Sequence, residues 1–133
     1  MAKTMTGAVL VSSAANTAGS TTRGRLDCSA ADGGMIRWKM TNGATGPTAQ
    51  CEARVLIARK QTSMPAAASE GTGDDDWKIV YRQGGGTSNN ASNSGVTRGS
   101  YRFGPEVAYI EIEFTGNAGQ SVTVECTGDT FVY

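Results

Sequence analysis

Apolar and polar residues alternate with a period of two along most of this chain, which predicts β-strands rather than helices. The clearest case is residues 106–114, EVAYIEIEF, whose even-numbered residues from Ala108 onward are apolar. Glu111 and Glu113 fall on the opposite face together with Tyr109. One face is therefore expected to be dry and the other mostly wetted, as in an antiparallel sheet that packs on one side.

A second alternating segment, residues 120–126 (QSVTVEC), follows the first after the link TGNAG at 115–119. Glycine and asparagine favour the tight turns that join antiparallel strands. The pattern predicts that these two segments form a β-hairpin.

The same alternation recurs in seven further segments, and the nine segments together predict a domain of about eight strands. Further strands are predicted at residues 7–12, 23–29, 34–41, 49–59, 77–83, 98–103 and 129–133. Helix signals are poor, and at most one short turn is expected, at residues 64–71. The fold class predicted is all-β, with one domain spanning 1–133 as an antiparallel β-sandwich that is jelly-roll-like. Trp38 and Trp77 are expected on its inner faces.

Two long segments without strand patterning stand out, at residues 60–76 and 84–97. Loops of this length in compact domains tend to be either functional or disordered. Residues 84–95 read GGGTSNNASNSG and carry no charge, no aromatic ring and no phosphate-binding motif. We expect this stretch to become ordered against a neighbouring subunit, and its contact candidates are Asn89, Asn90 and Asn93.

Charge and composition exclude several classes of function. The 133 residues hold 12 basic and 12 acidic side chains and no histidine. A formal net charge of zero argues against direct nucleic-acid binding by bulk phosphate attraction and against an anionic membrane as partner. Without histidine the commonest general base and most zinc sites are absent. No catalytic motif occurs, so we expect a protein that is not an enzyme and needs no cofactor.

The three cysteines are an odd number and form no C-x-x-C pair. Buried, reduced thiols in a protein made and kept in a reducing cytoplasm are the favoured interpretation. One disulfide plus one free thiol is the alternative. The start of the chain has an apolar patch too short for a secretory signal.

Two charge clusters are candidate interaction sites. Asp74, Asp75 and Asp76 form an acidic run that is either a solvated turn or a weak calcium site. Arg37 and Lys39 are expected to share an outer sheet face with the arginines at 23 and 25. That face is either solvated or binds an acidic partner.

Two tyrosines complete the candidate interface. Tyr109 lies on the glutamate-bearing face of its strand and is a candidate anchor. Tyr133 ends a C-terminal strand whose edge invites pairing with another chain.

Three phrases of the sequence resemble one group of proteins. They are TRGRLD followed by a glycine-rich turn, TNGATGPTAQCEARVLIAR, and the C-terminal RFGPEVAYIEIEFTGNAGQSVTVECTGDTFVY. Together they resemble small all-β virion accessory proteins of tailed bacteriophages, of the head decoration or cement type or the neck and tail type. The resemblance implies a sandwich present in many copies in a particle, and it supplies no catalytic or ligand residues.

The resemblance implies a capsid decoration or cement protein that stabilises the head through protein–protein contacts. Its partners would be the major capsid protein or other virion subunits, with homo-oligomerisation, and its location the virion after synthesis in the bacterial host cytoplasm. The alternative is a glycan- or receptor-binding sandwich module of a tail or tail-fibre assembly.

Overall fold

A computed structural model describes residues 2–68, 76–88 and 95–133, and these form eight β-strands and no helix. The strands are β1 (Thr4–Asn16), β2 (Thr22–Asp27), β3 (Gly33–Asn42), β4 (Glu52–Ala58), β5 (Trp77–Gly84), β6 (Val96–Phe103), β7 (Tyr109–Thr115) and β8 (Val122–Val132). The predicted segments 120–126 and 129–133 are one continuous strand, β8. Residues 64–68 are not helical, and the rest of the predicted turn lies outside the described residues.

The strands form two four-stranded antiparallel sheets. Sheet A has the order β1-β8-β3-β6 and sheet B the order β2-β7-β4-β5. Strand β1 pairs with β8, β2 with β7, β3 with β6 and β4 with β5. The chain is thus one long hairpin of strands wound into two sheets, which is the topology of a jelly roll. The predicted fold class is confirmed.

The predicted hairpin of β7 and β8 is wrong. Strand β7 pairs with β2 and β4 in sheet B, whereas β8 pairs with β1 and β3 in sheet A. Gly116 and Gly119 do adopt positive φ angles of 95° and 82°, but they turn the chain from one sheet to the other. Asn117 fixes this crossing, because its Nδ2 donates to the Asn16 carbonyl at 2.9 Å.

The core lies between the inner faces of the two sheets. Trp38 is buried there, as predicted, among residues of strands β3, β4, β7 and β8. Cys28, Cys51 and Cys126 are free and buried in the same core. Burial raises their thiol pKa values to about 12, 11 and 12 respectively, so the thiols stay protonated at neutral pH. The described residues include no helix long and apolar enough to cross a membrane.

Strand β5 departs from simple alternation. Its register against β4 shifts so that Tyr81 faces Val55 and Ile79 faces Leu56, with Val80 as the extra residue. A bulge of this kind reverses which side chains point inward. Trp77 is therefore buried, but in a second cluster on the outer face of sheet B rather than in the central core as predicted.

Candidate functional site

Residues 60–68, which we call the strap, cover part of the outer face of sheet B. The Tyr109 hydroxyl donates to the Gln61 carbonyl at 3.0 Å, and the Trp77 indole Nε1 donates to the Ala66 carbonyl at 2.7 Å. Arg25 Nη1 donates to the Pro65 carbonyl at 2.6 Å. The strap thus covers the Tyr109 and Glu111 end of β7, and the strand is buried along its whole length, so the prediction of a solvent-exposed face on β7 is wrong.

The strap also removes one predicted interface residue. Tyr109 is 1% exposed, with Lys60 Nζ 5.9 Å from its ring centroid. It is held within its own chain and has little surface left for contact. Alternation along β7 does not show that a distant segment folds back over the strand, so the burial of Tyr109 could not be predicted.

Two buried glutamates lie beneath or beside the strap. Glu113 is 2% exposed and accepts from Arg23 Nε at 3.1 Å and from Arg54 Nη1 at 3.3 Å. These arginines come from the strands on either side of β7. A buried carboxylate with two cationic partners is compensated, so this cluster ties three strands together.

Glu111 is compensated much less well. Its Oε2 accepts from the Ala68 backbone N at 3.2 Å, and its Oε1 has no hydrogen-bond partner among the described residues. The net carboxyl pKa rises from 4.5 to about 7, chiefly because burial desolvates the group. The Ala68 hydrogen bond and the charges of Arg23 and Arg25 lower the pKa, and the charge of Glu113 raises it. Glu111 is therefore about half protonated at neutral pH.

The outer face of sheet A is a charged surface that faces solvent. Its outward positions form three rows across β8, β3 and β6, set by the strand registers. The rows are Glu125–Lys39–Arg98, Thr127–Arg37–Ser100 and Asp129–Met35–Arg102. Candidates Arg37 and Lys39 therefore lie together on this surface, which we call the basic face.

Ion pairing on the basic face is uneven. Arg37 Nη2 lies 2.6 Å from Asp129 Oδ2, and Lys39 Nζ lies 3.5 Å from Glu125 Oε1. The exposed side chains of Arg98 and Arg102 on β6 join no ion pair within the described part of the chain. The excess positive charge of the face is thus concentrated along the edge strand β6.

Two shallow depressions adjoin on this face and share Arg37. One, of about 530 Å³, is lined by residues of β3, β6 and β8, including Arg37, Lys39, Arg98 and Glu125. The other, of about 340 Å³, includes Arg102, Asp129 and Phe131. Lys3 Nζ stands 5.3 Å from the Phe131 ring centroid and adds a further cation.

The β1 side of the same face is apolar. Met5 faces Phe131 and Val9 faces Thr127 in the register of β1 on β8. Met5 is 52% exposed and Val9 65% exposed. The C-terminal Tyr133, also exposed, packs its ring against Phe131 at 5.5 Å. We call these four side chains the apolar rim.

The expected grouping of four basic residues is wrong in part. Arg23 and Arg25 belong to β2 in sheet B, whereas Arg37 and Lys39 belong to β3 in sheet A. The two pairs lie on opposite outer faces of the sandwich. The sequence-based prediction did not include Arg98 and Arg102 on this face. The alternation in RGSYRF at 98–103 was the signal that could have placed both side chains outward.

The first part of the glycine-rich stretch is held by its own chain. Gly85 N donates to the Cys51 carbonyl at 2.7 Å. The Asn42 amide Nδ2 donates to the carbonyls of Gly86 at 3.1 Å and Ser88 at 2.6 Å. Order imposed by a neighbouring subunit is therefore not needed for residues 84–88. Candidates Asn89, Asn90 and Asn93 lie outside the described residues.

We expect Asn42→Ala to loosen residues 84–88. The substitution removes the amide that reaches Gly86 and Ser88, and a net loss of about 1–2 kcal/mol of unfolding free energy is expected. Amide hydrogen exchange should accelerate at Gly85 and Gly86, with Thr41→Ala on the same strand as control. Unchanged exchange at both glycines would show that Asn42 does not hold the segment.

The remaining candidates give a mixed picture. Asp76 is exposed and accepts from Gln61 Nε2 at 2.8 Å, while Asp74 and Asp75 lie outside the described residues. Within the described ranges no group of three metal-ligating side chains is assembled. The structure thus brings Arg37, Lys39 and Tyr133 onto one face and leaves Asp76 and Tyr109 elsewhere.

The jelly roll and its exposed basic face define the class of molecule, a β-sandwich with a charged outer sheet surface. No family model matches the sequence, and no curated protein sequence matches it. Among solved structures, the chain is similar to the SPBc2 prophage-derived protein YomS, with 14% identity, a TM-score of 0.48, and coverage of 99% of this chain and 96% of that one.

Two other solved structures are similar at comparable levels. The VP2 subviral particle of infectious bursal disease virus has 10% identity and a TM-score of 0.46, and the match covers 98% of this chain. This chain spans 33% of that protein's length. The C-terminal family 22 carbohydrate-binding module of Clostridium thermocellum Xyn10B has 12% identity, a TM-score of 0.48, and coverage of 96% and 84%.

Proposed function

We propose that this protein is a non-enzymatic structural component of a bacteriophage particle, and specifically a capsid decoration or cement protein. Its partners would be the major capsid protein or other virion subunits, including further copies of itself. The sequence resemblance to phage accessory proteins supports the phage setting.

The observation that carries the proposal is the composition of the outer face of sheet A. A hydrogen-bonded sheet presents Arg98 and Arg102 on one side and the apolar Met5 and Val9 on the other, all exposed. Exposed apolar groups beside charges that lack partners are typical of surfaces that become buried in an assembly. A rigid sheet holds these groups in place before contact, which lowers the entropic cost of binding.

Particle composition tests this proposal. Particles purified from the native host by density gradient are expected to contain the protein at a fixed ratio to the major capsid protein, as measured by quantitative mass spectrometry. Particles lacking the gene should lose their contents at lower temperature or lower salt. Absence of the protein from purified particles contradicts the proposal, and retention of a labelled host glycan by the isolated protein would favour a glycan-binding module instead.

A further inference from the structure

We propose that the β6 side of the basic face binds an acidic polypeptide segment of a neighbouring subunit, through the guanidinium groups of Arg98 and Arg102. This inference deepens the proposed function and rests on it for the identity of the neighbour. Its chemistry can be tested without that neighbour.

The basic face carries more positive than negative charge. The acidic side chains Glu125 and Asp129 on this face are already paired with Lys39 and Arg37. Two arginines and Lys3 supply positive charge beyond those pairs, although the whole chain is formally neutral. A face with surplus positive charge on a neutral molecule is complementary to a negative partner surface and orients the encounter.

The separation of Arg98 and Arg102 along β6 suits an extended acidic segment. Arg98 and Arg102 are four residues apart on one strand, and strands rise about 3.3 Å per residue, so their Cα atoms are about 13 Å apart. Ser100 lies between them and leaves the intervening surface low. Two carboxylates at positions i and i+4 of an extended partner segment have the same separation. Each could accept two parallel hydrogen bonds from one guanidinium.

The composition of the face favours a protein partner over nucleic acid. Because Glu125 and Asp129 pair with Lys39 and Arg37, the unpaired positive charge that the described residues bring to the face is confined to Arg98, Arg102 and Lys3. These are too few cations to hold a continuous row of phosphates. The apolar rim across β1 and β8 offers nothing to a phosphate backbone, but it can be covered by apolar side chains of a protein. An acidic segment flanked by apolar residues therefore fits the whole face.

Fluorescence anisotropy with a labelled decaglutamate peptide tests the inference at low salt. The wild-type chain is expected to bind decaglutamate, and not decaglutamine, with an affinity that falls as salt is added. Arg98→Gln/Arg102→Gln should weaken binding at least tenfold. The matched control Arg59→Gln/Arg82→Gln removes the same charge on the other sheet, because Arg59 directly follows β4 and Arg82 lies on β5. It should change the affinity less than twofold.

Three results would overturn the inference. They are no binding of decaglutamate, equal loss in both double variants, and tighter binding of a ten-nucleotide oligothymidylate through the same arginines. The charge-reversal variant Arg98→Glu/Arg102→Glu is a second test. If the site is as proposed, this variant should bind decalysine and no longer bind decaglutamate. Circular dichroism melting of each variant confirms that the chain is folded.

The same variants keep this inference distinct from the proposed function. If the protein is a particle component and Arg98→Gln/Arg102→Gln is incorporated like the wild type, the inference fails and the proposed function stands. If the protein is absent from particles yet binds decaglutamate through these arginines, the proposed function fails and the acidic-segment site stands.

Discussion

Glu111→Gln is expected to abolish most of the pH dependence of stability between about pH 4.5 and pH 7. The carboxyl pKa rises from 4.5 to about 7 on folding, because the group is fully buried with only one hydrogen bond. Below pH 4.5 both the folded and the unfolded chain hold the proton. As the pH rises through the window only the unfolded chain releases it, so the wild type loses about 3 kcal/mol of unfolding free energy and regains none above pH 7.

Urea unfolding at about pH 5 and about pH 8.5 measures this effect. The interpretation is clean because the chain has no histidine and burial keeps the pKa of each thiol at about 11 or above. Glu106→Gln, at an exposed carboxylate in the β6–β7 link, is the matched control and should leave the wild-type slope intact. A slope in Glu111→Gln equal to that of the wild type would show that Glu111 is not the titrating group.

Gly24→Val is expected to destabilise the fold by at least about 3 kcal/mol. Gly24 lies on β2 of sheet B, at the point where β2 passes close to β1 of sheet A along one side of the sandwich. A Cβ at this position would stand 2.1 Å from the Leu10 carbonyl oxygen and 2.6 Å from its carbon. Both atoms belong to backbone, so relief requires the two sheets to separate rather than a side chain to rotate.

Thermal and urea unfolding of Gly24→Val should be compared with Gly7→Val on β1. At Gly7 a Cβ meets only Asp129 Oδ1 at 3.6 Å, which is ordinary contact, so we expect a change within about 1 kcal/mol. Equal stability of the two variants would contradict the close crossing of β1 and β2.

Much of the fold could be predicted from alternation alone. The inward residues of β3, namely Ile36, Trp38 and Met40, are all buried as the pattern indicates. Periodicity within a strand reports which side chains share a face, and this information is local. It does not report which strands pair, so the β7–β8 link was taken for a hairpin although it crosses between sheets.

The burial of the glutamate-bearing face of β7 could not be predicted for a related reason. Glu111 and Glu113 look like wetted residues, because glutamate is rarely buried without a partner. Their burial depends on Arg54 of β4, on Arg23 of β2 and on Ala68 of the strap, none of which is near in sequence. The apolar and small residues of the strap, with Met64 in the outer cluster, were the available signal.

The candidate site divides along the same line. Arg37 and Lys39 were predicted on one outer face because they alternate with core residues of β3. Arg98 and Arg102 became part of that face only through the β3–β6 register, which pairs Lys39 with Arg98 and Met35 with Arg102. The bulge at Val80, which places Trp77 outside the central core, leaves no signature in alternation and was missed.

Cryo-electron microscopy of purified particles from the native host would show whether this protein is bound there and which face it uses. We predict density for this jelly roll bound to another virion subunit, with the outer face of sheet A in the contact and carboxylates of the neighbour within about 4 Å of Arg98 and Arg102. Particles without this density, or with the jelly roll bound while the outer face of sheet A remains open to solvent, would contradict the account.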